Sequence, residues 1–144
     1  MTDMRDCLDS LYLDPGDARC IIPTGAGDKA FCAGADLKER GDMSEASYRN
    51  QHALAEQMTR ALMQCPIPVI AAVNGAAFGG GSELAMGADF IYAVDTAKFA
   101  QTECGVGVIP GGPGTQILPQ VVGTRRAKEI ILGAQPYSAQ EALE

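Results

Sequence analysis

Two carboxylates, Glu83 and Glu103, stand beside glycine-rich turns in an otherwise apolar stretch from Pro68 to Pro113. A carboxyl pair of this kind suits proton-transfer chemistry, in which one group takes a proton while the other gives one. Glu83 follows three consecutive glycines, Gly79, Gly80 and Gly81, and Ser82-Glu83-Leu84-Ala85-Met86 reads as the first turns of a helix. The first amides of a helix have no internal partners and lie at the positive end of its dipole. Amides near Gly80 and Gly81 are therefore placed to face an anionic oxygen. Taken singly, a glutamate at a helix start is favourable capping charge and a glycine run is a tight turn. The second acid and the second glycine-rich turn, Ile109-Pro110-Gly111-Gly112-Pro113-Gly114, turn the reading toward a site.

Other chemistries find less support. The single histidine, His52, falls on a long helix and reads as solvent-facing. No G-x-S-x-G elbow accompanies it. Neither G-x-G-x-x-G nor G-x-x-x-x-G-K-[ST] occurs, so the glycines do not spell a nucleotide site. Five cysteines, odd in number and never in a C-x-x-C pair, argue against a metal cluster and a disulfide framework. They fit a reducing cytoplasm. A net charge of −7 argues against nucleic acid and anionic membrane as partners. No apolar run reaches the roughly 20 residues that a bilayer span requires.

The elements that must position these residues form an α/β pattern in one domain of 144 residues. Met4, Leu8, Leu11 and Tyr12 recur at helical spacing, predicting a helix over 3–13 that Asp14-Pro15-Gly16-Asp17 ends. Arg19-Cys20-Ile21-Ile22 reads as a short buried strand, its end distorted or at an edge because Pro23 cannot donate to a ladder. Ser44 to Cys65 reads as a long helix with an inward stripe of Leu54, Met58, Ala61, Leu62 and Cys65. Pro66 and Pro68 stop it and open the strand Val69–Val73, which turns at Asn74-Gly75. Asp89 to Val94 reads as another strand. Gly114 to Val122 is a short helix, and Thr124 caps the next, with Ala127, Ile130 and Ile131 facing inward. Arg125, Arg126 and Lys128 form its solvated face, and Gly133 ends it. Ser138-Ala139-Gln140-Glu141 is a capping box. No internal repeat is visible in the sequence.

Three runs together resemble the signatures of the crotonase (enoyl-CoA hydratase/isomerase) superfamily. They are Ala30-Phe31-Cys32-Ala33-Gly34-Ala35-Asp36-Leu37-Lys38, then Pro68 to Asp89 with Gly79-Gly80-Gly81-Ser82-Glu83, then Phe99-Ala100-Gln101-Thr102-Glu103 through Gly114-Thr115-Gln116. The resemblance implies a crotonase-like ββα-spiral core over residues 1–144, incomplete at both termini. It implies an enoyl-CoA hydratase-type lyase acting on an acyl-CoA, with Glu83 activating water and Glu103 delivering the α-proton. The amides of Ala35 and Gly80 would form the oxyanion hole. Ala33, Gly34, Asp36, Leu37, Lys38, Gln101 and Gly111 would line the substrate site, with Gln101 orienting the glutamates. No metal or separate cofactor is implied, since coenzyme A is part of the substrate. The family assembles as a trimer or dimer of trimers, so a homo-oligomer is expected. Enoyl-CoA isomerisation, which runs on one carboxylate, and a catalytically inactive truncated relative remain alternatives. RNA binding, known in some relatives, sits poorly with the acidic balance.

Overall fold

A computed structural model of the chain describes residues 2–143. Helix α1 (Thr2–Leu13) precedes a long connection to β1 (Ala30–Cys32), followed by α2 (Leu37–Gly41) and α3 (Glu45–Met63). Then come β2 (Ile70–Val73), β3 (Ala76–Phe78), α4 (Gly80–Met86), β4 (Phe90–Ala93) and β5 (Lys98–Ala100). A 3-10 turn (Glu103–Val106) leads to α5 (Gly114–Gly133), β6 (Tyr137–Ser138) and α6 (Ala139–Leu143).

The strands form two sheets. One runs β1-β3-β5-β6, with β6 antiparallel to β5 and the others parallel. The other pairs β2 with β4 in parallel, Ile70 opposite Phe90 and Val73 opposite Ala93. Ile21 and Thr24 make parallel bridges to Val69 and Ala72, on β2 and its approach. The chain thus repeats one move: a strand or bridge in the second sheet, a strand in the first, then a helix or helical turn. This is a spiral of ββα units, and it is periodic in space although the sequence shows no repeat.

Alternation along β2 explains the packing between the layers. Ala71 and Val73 are buried while Ile70 and Ala72 are half-buried, as the period-two geometry of a strand requires. They join Phe31, Ala77, Ala85, Ala97 and Phe99 in one cluster. Fully burying a side chain such as Phe or Val contributes about 1.5–3 kcal/mol. A second cluster, Leu8, Leu62 and Val69, seats α1 on α3 and the start of β2. The third, Leu118, Ala127 and Ile130, closes α5 on itself. Side chains also tie the layers. Asn74 accepts from the Gly25 amide at 3.0 Å and donates to the Gly25 and Gly27 carbonyls at 3.0 and 2.6 Å. Asp89 accepts from the Val69 amide at 2.7 Å.

Several expectations change in detail. Arg19–Ile22 is not a buried strand: Cys20 and Ile22 are exposed, and only the isolated bridges remain. Pro23 still serves the layer, because its carbonyl accepts from the Ala72 amide at 3.0 Å. The two helices expected after Gly114 are present within α5, parted at Gly123, whose φ of 77° and ψ of 156° are non-helical. The left-handed residue at its end is Ala134 (φ 51°), not Gly133; the Ala134 amide reaches back to the Ile130 carbonyl at 3.1 Å. The capping box stands as expected, with Ser138 and Glu141 hydrogen-bonded reciprocally. Ser44 caps α3 through the Ser47 amide, and Met58 and Leu62 of the expected stripe are buried. Among the described residues no helix is long and apolar enough to cross a membrane.

The tightest inter-element contact is backbone on backbone. A Cβ added at Gly81 would overlap the Cys32 carbonyl oxygen and lie 2.9 Å from the Cys32 Cβ. Gly81→Ala must therefore push β1 off the start of α4. It is expected to cost about 1–3 kcal/mol, read as a lower urea midpoint at unchanged slope.

Candidate active site

Glu83 sits in the first turn of α4 and is only 7% exposed. Its Oε1 accepts from the Gly112 amide at 2.9 Å and the Gly114 amide at 3.0 Å. A buried carboxylate needs such donors. The loop before α5 comes close enough to give them because it carries no side chains there. A Cβ at Gly112 would fall 2.6 Å from Glu83 Oε2, and one at Gly114 would fall 2.9 Å from Oε1. With Oε1 committed to two N–H donors, Oε2 is the oxygen available to accept a proton.

Glu103 reaches the same place from another element. It opens the 3-10 turn, and its Oε1 lies 3.1 Å from where a Cβ on Gly79 would stand. Gly79 immediately precedes α4, so both acids border the glycine turn. Burial raises the Glu103 pKa above the ordinary carboxylate value, its own backbone amide opposes this, and the charge of Glu83 adds to the rise. The two acids therefore sense one another while occupying different environments. Glu83 has two amide donors, whereas Glu103 Oε2 is buried with no hydrogen-bond partner among the described residues.

Gln101 is wholly buried, and neither end of its amide is hydrogen-bonded among the described residues. Its Oε1 would meet a Cβ on Gly114 at 2.6 Å, so it borders the same α-carbon as Glu83 Oε1. Ser82 Oγ is the remaining buried side-chain atom without a close partner among the described residues. The Ser82 hydroxyl acts on the phenol of Tyr137, which stacks on Phe99 with ring centroids 5.8 Å apart. The unpartnered atoms of Gln101 and Glu103 lie at the acids: Gln101 Oε1 beside the Gly114 position that Glu83 Oε1 also meets, and Glu103 Oε2 on one of the acids itself. Buried polar groups normally find partners, so such a concentration marks a place built for something other than stability.

The loop after β1 lies against this turn. Gly34 has a φ of 85°, and a Cβ there would stand 2.9 Å from the Phe78 carbonyl oxygen and 3.2 Å from the Gly80 nitrogen. Only glycine admits both the conformation and the approach. Ala35 follows directly, and neither the Ala35 nor the Gly80 amide donates in a turn, loop or cap among the described residues. Residues 33–38 are exposed. Asp36 caps α2, accepting from the Lys38 and Glu39 amides at 2.9 and 3.3 Å, so its carboxylate shapes the loop.

Two features escaped the sequence. The donors to Glu83 are Gly112 and Gly114, while Gly111 faces elsewhere; the Gly111-Gly112-Pro113-Gly114 run signalled a close approach without saying which amide makes it. His52 does not simply face solvent, since its Cε1 lies 3.1 Å from the Cβ position of Gly111. Nothing in the helical spacing of α3 announced that contact.

The raised Glu103 pKa has a signed consequence for stability. Between the ordinary carboxylate value and the raised one, the folded chain holds more protons than the unfolded chain, so stability falls as pH rises through that window. Glu103→Gln is expected to flatten that part of the profile and raise the urea midpoint at neutral pH. Denaturant melts from acid to neutral pH check it, and an unchanged slope would contradict the assigned burial.

Comparison with known proteins bears on the family and the fold. The profile described as enoyl-CoA hydratase/isomerase matches residues 1–144. A crotonyl-CoA hydratase of Syntrophomonas wolfei is 42% identical over 142 residues, covering 99% of this chain and 54% of that protein. A short-chain-enoyl-CoA hydratase of Clostridium acetobutylicum is 46% identical over 123 residues, covering 85% of this chain and 47% of its own length. The crystal structure of an enoyl-CoA hydratase from Bacillus anthracis superposes with a TM-score of 0.94 at 44% identity, covering 98% of this chain and 54% of that one. The chain spans about half the length of these relatives. Its ββα spiral is the crotonase fold, and by sequence and structure alike the chain belongs to the enoyl-CoA hydratase/isomerase family.

Proposed function

We propose that this chain carries the acid/base and oxyanion elements of an enoyl-CoA hydratase, which adds water reversibly across the double bond of a 2-enoyl-CoA. The observation that carries the proposal is the approach of Glu83 and Glu103 to one glycine turn from two elements, with opposite treatment of their carboxylates. The thioester oxygen would lie between the Ala35 and Gly80 amides. Glu83 Oε2 would take a proton from water as its oxygen bonds to the β-carbon. The electron pair of the double bond would move toward the thioester oxygen, and the developing enolate would be held by the two amides. Glu103, whose pKa burial raises, would give a proton to the α-carbon. The reverse sequence eliminates water.

The exposed loop Ala33, Gly34, Asp36, Leu37 and Lys38 would receive coenzyme A, with the Lys38 ammonium available to its phosphates. Gln101 would orient the two acids from its position beside Gly114, and Gly111 would border the water. Acid/base hydration needs no redox group or separate cofactor, because coenzyme A arrives with the substrate. The step belongs to fatty-acid or related thioester metabolism. Five free cysteines suit a reducing cytoplasm. Exposed Val106, Val108, Ile109 and Leu132 give an apolar surface for assembly into homo-oligomers. Isomerisation would need only one of the two acids, and the engagement of both favours hydration.

The test follows the absorbance of crotonyl-CoA with this polypeptide and with a chimera grafting it between the flanking segments of a relative. Glu103→Gln in the active form is expected to lower turnover about 10²–10⁴-fold with an unchanged circular dichroism spectrum. Near wild-type turnover would refute the role. Gly112→Ala, which drives a methyl against Glu83 Oε2, is expected to lower turnover about 10²-fold while butyryl-CoA affinity holds. Equal loss of binding and turnover would instead assign Gly112 to the substrate pocket.

A further inference from the structure

The Gly111–Gly112 loop holds Glu83 but has no side chains with which to hold itself. Its flanking prolines, Pro110 and Pro113, are buried, yet Gly111 is exposed and donates to no backbone carbonyl in a turn or loop among the described residues. What meets it is the ring of His52, with Cε1 3.1 Å from the Gly111 Cβ position and Nδ1 at 3.8 Å. That ring is itself fixed on several sides. It lies parallel to Tyr48, with ring centroids 6.4 Å apart and planes within 1°. Its Nε2 is 3.4 Å from Glu56 Oε1, one helical turn on, and the side chain is 40% exposed. Tyr48 carries the Arg40 guanidinium 5.4 Å from its ring centroid, and Arg40 Nε donates to Gln51 Oε1 at 3.1 Å. Arg40 belongs to α2, which follows the loop bearing Ala35. One stretch of α3, residues 48–52, therefore touches both the helix behind the Ala35 loop and the loop that binds Glu83.

We propose that His52 is a positioning residue: its ring, held by Tyr48 and Glu56, braces Gly111 and so keeps the Gly112 amide on the Glu83 carboxylate. The proposal rests on the reading of Glu83 as the proton acceptor, but the bracing is measurable without catalysis. The mechanical need is clear from the geometry. Gly112 supplies one of the two backbone donors that a buried carboxylate has among the described residues, and without a brace its glycine neighbour keeps the full freedom of a residue lacking a Cβ. A flat ring does the work here, and an imidazole proton is not required. Replacement by another flat ring therefore preserves the function, whereas truncation removes it.

The test is amide hydrogen exchange by NMR on the polypeptide as it stands. In His52→Ala, exchange at Gly112 and Gly114 is expected to speed about tenfold, the equilibrium worth of one hydrogen bond, while Ala71 and Val73 in β2 stay protected. His52→Phe should restore Gly112 and Gly114 to within about twofold of the unaltered chain. Gly111→Ala, whose methyl would press on the ring, should disturb the Gly112 resonance in the unaltered chain and be silent beside His52→Ala. In the hydratase chimera, His52→Ala should lower kcat with KM unchanged, and His52→Phe should recover it. Unchanged exchange at Gly112 in His52→Ala overturns the proposal, and so does equal acceleration of all amides or failure of the phenylalanine rescue. A chimera with no hydratase activity before substitution overturns the assignment of Glu83 and leaves the exchange result to decide the brace.

Discussion

The structure depends on backbone meeting backbone where the first sheet turns into α4. Gly81 lies against the Cys32 carbonyl, and Gly34 lies against Phe78 and Gly80, at separations that exclude a side chain. This contact stacks one ββα unit on the next. It also brings the loop after β1 into direct contact with the Gly79–Gly81 turn, far from it in sequence. The same approach thus sets the pitch of the spiral and the floor of the site. A site built from main-chain groups gains rigidity this way, because amides fixed by packing need no reorganisation when charge develops beside them.

On that floor the two acids are treated unequally. Glu83 belongs to a helix and takes two amides from a loop that folds over it. Glu103 belongs to a short turn, is partly desolvated, and keeps a buried oxygen without a partner. A pair of carboxyl groups in identical surroundings would compete for the same protonation state. Different surroundings let two nearby carboxyl groups hold different affinities for a proton.

Much of this was legible in the sequence, and the rest was hidden for physical reasons. The signature runs around Ala35, Gly80, Glu83 and Glu103 gave the family, and helix ends with side-chain caps, Ser44 and Ser138, were read correctly because capping is local. The Arg19–Ile22 segment misled because its apolar residues suggested burial, which only the surrounding layers can provide. The helix ends at Gly133 as read, but the left-handed conformation usually left to glycine falls on Ala134. The ββα spiral was reached only through the family resemblance, because it is a repetition of topology whose three units share no residue pattern. The contact between His52 and Gly111 joins positions far apart in sequence, and neither residue type hints at the other.

The Asn74-Gly75 turn bears on how the protein ages. In an unfolded chain, Asn followed by Gly is the dipeptide most prone to cyclise: the glycine nitrogen attacks the side-chain amide, ammonia leaves, and hydrolysis of the imide gives aspartate or isoaspartate. Here the Asn74 amide is gripped by Gly25 and Gly27 on both its oxygen and its nitrogen, and Gly75 is pressed against the Lys29 carbonyl. The rotation that would bring nucleophile to carbonyl is blocked for as long as the layers stay together. Each excursion to the unfolded state releases that lock, and the resulting carboxylate, lacking N–H donors for the two carbonyls, could not close it again. Chemical lifetime at this turn is therefore set by how seldom the fold opens.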